Sequence, residues 1–276
     1  MKIRLLGTGA SEGFPAMFCT CERCMHAREK GGPNIRTRSG ALIDDDLKVD
    51  FPPDTMSHVH RYGLRMDRVR HLLITHSHAD HFDPNDLYPR RAPVYAVLPP
   101  DTPPTGLYGN EKVLSLIKPA DLAADGEGRR AWEPHPVAHD TPIEMGDYRV
   151  TPVRALHDPH EACMIYVIEK GGKTLLYGHD TGLFDEVIWG VLRRFSFDCV
   201  LMDCTYGLMS QEKGHMGFPE NIRIRETMLR EGMADERTVF VSTHYSHNCL
   251  ADYDEMVQAA MGTGILIAYD GMVIEV

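Results

Sequence analysis

Short apolar runs alternate with polar turns along nearly the whole chain. Met1 to Leu6 reads as a strand closed by Gly7-Thr8-Gly9-Ala10-Ser11-Glu12-Gly13. That turn has neither G-x-G-x-x-G spacing nor a helical pattern after it. It therefore reads first as a tight turn that lets the backbone approach another element, with a functional turn as the alternative. The stretch that follows is polar and loop-like to Arg38. Gly40 to Ile43 and Leu47 to Phe51 flank Asp44-Asp45-Asp46 as a hairpin with a carboxylate-rich turn. Thr55 to Leu64 is predicted as a helix and His71 to Ile74 as a buried strand. Later strands are predicted at Tyr148 to Leu156, Met164 to Glu169, Thr174 to Tyr177, Cys199 to Met202 and Val239 to Val241. Ile265 to Tyr269 and Met272 to Val276 read as a last strand pair around Asp270-Gly271. Helices are predicted at Phe184 to Arg194, where Val187, Ile188, Val191 and Leu192 recur at helical spacing, at Pro219 to Glu231 and at Asp252 to Met261.

From about 84 to 136 the pattern weakens. Six prolines between Pro89 and Pro104 break up any long element, and Ala123 to Arg130 is polar. One strand, Val94 to Leu98, and one short helix, Glu111 to Leu116, are expected in an excursion too irregular to be a second domain. Long irregular segments of this kind often form lids or substrate-binding loops. The 276 residues, 43% of them hydrophobic, are expected to form a single domain spanning 1–276.

The strands end in chemistry. His71 to Ile74 runs into Thr75-His76-Ser77-His78-Ala79-Asp80-His81, and later strands end at His157, at Gly178-His179-Asp180 and at Ser242-Thr243-His244. Imidazole and carboxylate suit zinc, manganese or iron. Four donors within six residues cannot all reach one ion without strain, so the spacing points to two adjacent metals. Gathering ligands from the ends of different strands is how α/β folds build such a site. Asp50, near the end of its strand, is a candidate carboxylate for orienting a ligand; the alternative is an ordinary strand-end residue. His160 competes with His157, which strand-end placement favours, and His179 should point away from Asp180 in an extended chain. The remaining histidines read as surface or packing residues.

Charge and cysteine usage narrow the picture. A formal charge of −11 argues against a nucleic-acid partner, since phosphate backbones call for clustered Lys and Arg. Ile3-Arg4-Leu5-Leu6 lacks the apolar core of a signal peptide, and no run approaches the ~18 apolar residues of a membrane span. A soluble, cytoplasmic protein without a membrane partner is expected. Seven cysteines, an odd number, fit a reducing compartment better than a disulfide framework. Cys19, Cys21 and Cys24, together with one imidazole, would make a closed Cys3His zinc site.

The cluster resembles the H-x-H-x-D-H signature of the metallo-β-lactamase superfamily, and His157, Asp180 and His244 follow in that family's order. The resemblance implies an α/β fold of the αββα sandwich type, two mixed sheets between helices. It implies that His76, His78 and His157 bind one metal, that Asp80, His81 and His244 bind the other, and that Asp180 bridges them. Within the superfamily the chain is most similar to the phosphoribosyl cyclic phosphodiesterases of phosphonate breakdown (PhnP). The features that carry this are Cys19-x-Cys21-x-x-Cys24, His244-Tyr245-Ser246-His247, and Val200 to Cys204 followed by His215. In such enzymes the three cysteines and a histidine placed like His247 hold a structural zinc, and one placed like His215 assists catalysis. Similar proteins are commonly homodimers.

The expected reaction is in-line attack of a hydroxide, held between two metals about 3.5–4 Å apart, on a small phosphodiester such as a cyclic ribose phosphate. Asp80 and Asp180 would orient the nucleophile, and His215 would protonate the leaving alkoxide or stabilise the phosphate; otherwise it is a surface histidine between Gly214 and Gly217. Arg90, Arg91 and Lys213 are either phosphate contacts or solvated charge. Two alternatives share parts of the pattern. A nuclease resembling tRNase Z has the same ligand order but needs a basic arm that the excursion does not supply. A non-hydrolytic biosynthesis protein resembling PqqB shares the cysteine loop, but the full set of seven ligands counts against it.

Overall fold

The computed structural model describes residues 1–249 and 251–276. The first half of the chain supplies β1 (Lys2–Gly7), β2 (Gly40–Ile43), β3 (Leu47–Val49), β4 (His71–Leu73), β5 (Thr105–Gly109) and β6 (Trp132–Pro136). The second half supplies β7 (Ile143–Met145), β8 (Tyr148–Arg154), β9 (Met164–Lys170), β10 (Lys173–Gly178), β11 (Cys199–Asp203), β12 (Val239–Thr243), β13 (Ile265–Ile267) and β14 (Val273–Glu275). They form two seven-stranded sheets, one in the order β14-β1-β2-β3-β4-β5-β6 and the other β7-β8-β9-β10-β11-β12-β13. Read in those orders, each sheet has three antiparallel pairings followed by three parallel ones. The two halves are thus built alike, with β14 returning to complete the first sheet.

Strand alternation decides what each sheet buries. In β4, Leu73 points between the sheets while Leu72 points outward; in β11, Leu201 points inward and Val200 outward. The inner faces share one core, in which Leu5, Ile43 and Val49 meet Val150, Tyr166 and Leu175. Seven helices accompany the sheets among the described residues: α1 (Glu22–Lys30), α2 (Thr55–Tyr62), α3 (Glu111–Ser115), α4 (Pro119–Leu122), α5 (Glu186–Leu192), α6 (Phe218–Arg230) and α7 (Tyr253–Ala260). Ile188 and Leu192 of α5, Ile224 and Met228 of α6 and Met256 of α7 cover the outer face of the second sheet. Val113 of α3 and Ile117 after it pack on the outer face of the first. This is the αββα sandwich that the resemblance implies.

The helix starts follow from local chemistry. Asp185 accepts from the backbone N–H groups of Val187 and Ile188 at the start of α5. Asp252 and Glu255 form a reciprocal capping box on α7. Between β9 and β10, Gly171 and Gly172 both take left-handed φ (59° and 74°), which a tight hairpin of matching twist demands.

Several expectations are corrected. Residues 22–30, read as loop, form α1. The stretch from 84 to 136 is not wholly an excursion, because β5, α3, α4 and β6 lie within it and extend the first sheet. Val94 to Leu98 is no strand: Val94 and Val97 are exposed, and no strand of either sheet pairs with them. The true strand, Thr-Gly-Leu-Tyr-Gly, resembles a turn in isolation, yet Gly106 is needed there because a Cβ would meet the Tyr108 ring at 2.6 Å. The predicted last pair is split, with β13 beside β12 and β14 beside β1. The crossing is held by the half-buried Asp270, whose carboxylate accepts from Thr8 Oγ1 and from Thr37 N and Oγ1, each at 2.7 Å.

Candidate metal centre

The C-terminal ends of several strands converge on one edge of the sandwich. Asp50 follows β3, the His76–His81 loop follows β4, Asp180 follows β10, Asp203 ends β11, His244 follows β12 and His157 follows β8. Three donor sets form there, with donor atoms within 4.8 Å of one another in each: His76, His78 and His157; Asp80, His81, Asp180 and His244; and, overlapping the second, Asp180, Asp203, His215 and His244. All seven active-site donors expected from the sequence are therefore brought together. Asp180 joins the sets, since its Oδ2 lies 3.4 Å from His76 Nε2 and 3.9 Å from His157 Nε2, and 2.7 Å from His81 Nε2. His160 stays exposed, which leaves His157 as the donor. His179 is buried against Tyr177, with ring centroids 4.0 Å apart, and takes no part.

The outward nitrogens of the imidazoles are occupied, and this fixes which atom faces inward. His81 Nδ1 donates to Asp50 Oδ2 at 2.7 Å, the contact an orienting carboxylate would make. His157 Nδ1 donates to the Gly214 carbonyl at 3.1 Å. Thr75 Oγ1 donates to Asp50 Oδ1 and so accepts from His76 Nδ1 at 3.0 Å; Thr205 Oγ1 donates to Asp203 and so accepts from His244 Nδ1 at 2.8 Å. The Nε2 lone pairs of His76, His81, His157 and His244 are thereby turned toward one another and toward Asp180.

Such an arrangement fits a cation. The Nε2 atoms of His76, His81 and His244 and Oδ1 of Asp180 are buried without any hydrogen-bond partner. His78 Nδ1 faces His157 Nε2 at 3.1 Å, and His244 Nε2 faces Asp180 Oδ1 at 3.0 Å. Converging acceptors in a buried site repel unless positive charge lies between them. Oriented imidazoles backed by carboxylate, hydroxyl and carbonyl partners are the setting in which proteins bind divalent metals. Burial alone would raise the Asp180 carboxyl, but His244 and His81 outweigh it and hold it well below the usual carboxylate range.

His215 stands at the rim. Its Nδ1 lies 2.9 Å from Asp203 Oδ2 and 3.4 Å from Asp180 Oδ1. Burial would lower this imidazole, but Asp203 and then Asp180 raise it to about 9. A cavity of about 420 Å³ opens over the site, lined by His78, His157, His215, Tyr206, Ser246 and Asn248 among others. Ser11 and Glu12 also line it. The first turn, read from the sequence chiefly as backbone packing, does both jobs: Gly9 bridges to Arg38 and Tyr245, while its next residues reach the cavity. Neither Arg90 nor Arg91 contributes. Arg90 donates to the carbonyls of Ala131 and Pro103, and Arg91 pairs with Asp121.

Cys19, Cys21, Cys24 and His247 form a separate cluster with donors within 4.8 Å. Cys21 Sγ lies 3.8 Å from His247 Nδ1, and this contact is the main reason its thiol is lowered to about 6. The backbone N–H groups of Ala16 and Cys21 point at Cys24 Sγ and Cys19 Sγ, each at 3.4 Å. Cys163, Cys199, Cys204 and Cys249 are buried packing residues, as expected.

Other supporting residues went unnoticed in the sequence. Glu161 accepts from Ser77 N and Oγ at 2.8 and 2.6 Å, pinning the loop between His76 and His78. Asp158 faces the outward nitrogen of His78 at 3.4 Å. Asp203 did carry a signal, because it closes an apolar strand as Asp180 does.

Two mixed sheets clasped between helices, with His and Asp donors gathered at strand ends along one edge, define the αββα class of metal-site proteins. The chain belongs to the metallo-β-lactamase superfamily: the family described as Beta-lactamase superfamily domain matches residues 49–245. Coenzyme PQQ synthesis protein B of Methylococcus capsulatus is 22% identical over an alignment of 319 positions that takes in 99% of each protein. A diphosphatase of the PhnP family has the same fold with a TM-score of 0.74 at 22% identity, over 100% of this chain and 97% of that one. Zinc-bound PqqB from Methylobacterium extorquens superposes with a TM-score of 0.69 at 18% identity, over all of both chains. At such identities the structural likeness is one of fold.

Proposed function

We propose that this protein is a metal-dependent phosphodiesterase that hydrolyses a small phosphodiester. His76, His78 and His157 hold one divalent ion and Asp80, His81 and His244 a second, with Asp180 shared; zinc, manganese and iron all suit these donors. Cys19, Cys21, Cys24 and His247 hold a structural zinc. When bound, the paired ions supply Lewis acidity toward a phosphoryl oxygen and a nucleophile at neutral pH. The observation that carries the reading is His215, fixed by Asp203 at 2.9 Å on the wall of the same cavity. With Nδ1 engaged by Asp203, Nε2 is the atom left to give a proton to a departing alkoxide, which is too basic to leave unaided. Asp203 is the carboxylate that chiefly keeps this imidazole protonated, while Asp80 and Asp180 orient the nucleophile besides serving as ligands. The cavity volume suits a small molecule.

The relatives named for coenzyme PQQ synthesis favour a second reading, a non-hydrolytic metal-binding role in cofactor synthesis. A panel of bis(p-nitrophenyl) phosphate, a cyclic nucleotide and a ribose 1,2-cyclic phosphate, offered to fully metallated protein, separates the two. Turnover of a diester, lost in His215→Ala with metal content unchanged, supports the phosphodiesterase. No hydrolysis of any diester supports the second reading.

A further inference from the structure

The cavity over the donor sets has two chemically different ends. One is made of the donors and His215. The other is made of Ser11, Glu12, Tyr206, Ser246 and Asn248. Among the described residues, no Lys or Arg lines this cavity. Apart from the donors, its one acidic group is Glu12, and that carboxylate is held in place. Its Oε1 accepts from the Ser246 hydroxyl and, at 3.3 Å, from the His247 backbone N–H, and it lies 3.9 Å from His247 Nε2. Its Oε2 meets only the exposed Ser11 hydroxyl, at 3.2 Å, and keeps accepting capacity on the open side.

We propose that Glu12 accepts hydrogen bonds from hydroxyl groups on the part of the substrate beyond the scissile phosphate. The substrate is then a singly charged diester of a neutral polyol that carries no second phosphate. This rests on the phosphodiesterase reading and narrows it. A second phosphate at that end would face a fixed carboxylate with no arginine or lysine to offset it, and like charges at close range in a partly buried cleft are costly. Hydroxyls both donate and accept, which matches a lining of one carboxylate, two serines, a phenol and an amide. A carboxylate aimed at sugar hydroxyls is a recurrent way of reading ribose. A cationic headgroup matches less well, since Glu12 is the sole anion at that end and a single aromatic ring, Tyr206, makes no cage.

The test uses metallated protein, wild type and Glu12→Gln, with three substrates: adenosine 2′,3′-cyclic phosphate, the same compound phosphorylated at its 5′ hydroxyl, and bis(p-nitrophenyl) phosphate. Metal content is measured in parallel. In the wild type, kcat/KM for the unphosphorylated cyclic nucleotide should exceed that for its 5′-phosphorylated form by about tenfold or more, the value of one charge-assisted hydrogen bond. Glu12→Gln should narrow that ratio by about tenfold. A wild type that uses both forms equally overturns the proposal without need of any variant. So does a Glu12→Gln ratio equal to that of wild type. If wild type hydrolyses none of the three, the phosphodiesterase reading itself fails, and that outcome is distinct from a failure of Glu12.

Discussion

Asp50 and Asp180 hold one imidazole from its two sides: Asp50 Oδ2 accepts from His81 Nδ1 at 2.7 Å, and Asp180 Oδ2 lies 2.7 Å from His81 Nε2. The two carboxylates occupy matching places in the two sheets, just past β3 and just past β10, where antiparallel pairing gives way to parallel. Both residues have left-handed φ, 58° and 48°. Such a conformation costs a side-chain-bearing residue on the order of 1 kcal/mol or more, and persists where the surroundings fix it.

Replacing Asp50 by Asn keeps the volume and removes the charged acceptor that sets the His81 tautomer. Metal affinity should fall roughly 10–100-fold, as is usual when the partner of a ligating histidine is lost. A competition titration with a chromophoric chelator reads this directly. Unchanged affinity would reduce Asp50 to a packing residue.

Glu161 has a fully buried side chain, and it accepts from Ser77 twice, from Asn110 Nδ2 at 2.8 Å and from Lys112 at 3.1 Å. It ties the loop between two donors to the junction of β5 and α3. Glu161→Ala strands the Ser77 N–H and the Asn110 amide, at a cost on the order of 2–4 kcal/mol. Glu161→Gln retains one acceptor and should recover part of it. Urea unfolding of both variants measures the difference; a loss below about 0.5 kcal/mol in Glu161→Ala would be that of an ordinary surface change and would remove the clamp.

Lys48 is a fully buried ammonium inside the first sheet, donating to the Asp50 carbonyl. Burial lowers it to about 7, against the opposing pull of the Asp50 carboxylate. The neighbouring His58 is itself lowered to about 3, by burial first and then by Lys48, and so stays neutral. Between pH 7 and the unfolded value near 10.4 the unfolded chain binds a proton that the folded chain does not, so this group makes stability rise with pH across that window. Below pH 7 its penalty is complete and constant. Lys48→Met should therefore stabilise the protein most at pH 6 to 7, by on the order of a few kcal/mol, with the gain shrinking toward pH 10. Thermal melts at several pH values give the result; a gain independent of pH would mean that Lys48 stays charged in the fold.

The donors were legible because each ends an apolar run, and apolar runs can be read without knowing their partners. His76 to His81, His157, Asp180 and His244 all share this mark. Glu161 and Asp158 follow no run, and their roles exist only once the loop after β8 meets the loop after β4 across the two sheets. Glu12 was hidden for another reason: in a glycine-rich turn a lone carboxylate looks like surface charge until the cavity wall is known. The Gly-rich β5 was missed because its strand character comes from pairing with β4 and β6, not from side-chain propensity. The like construction of the two halves lies in pairing sense, which no residue-by-residue matching reveals.

The cysteine cluster allows a test in which its two sides are read separately. Cys19, Cys21 and Cys24 lie in the loop after the first turn and at the start of α1, whereas His247 lies three residues beyond the donor His244. Gly9 also bridges to Tyr245, so this cluster fastens the N-terminal loop to the strand end that presents His244. A closed set of three thiolates and one imidazole leaves no open position and favours a soft, slowly exchanging ion, whereas a site of imidazoles and carboxylates facing a cavity exchanges more readily. Purified protein should contain about three ions per chain, and dialysis against EDTA should leave about one, zinc. Cys24→Ser should lose that resistant ion and lower Tm by about 5–10 °C, as expected of a few kcal/mol in a chain of this size. It should still bind metal at the His76–His244 donors, because none of those side chains belongs to the cluster. Metal analysis of both proteins before and after dialysis decides the matter: a chelation-resistant ion that survives Cys24→Ser would place it at the His and Asp donors instead.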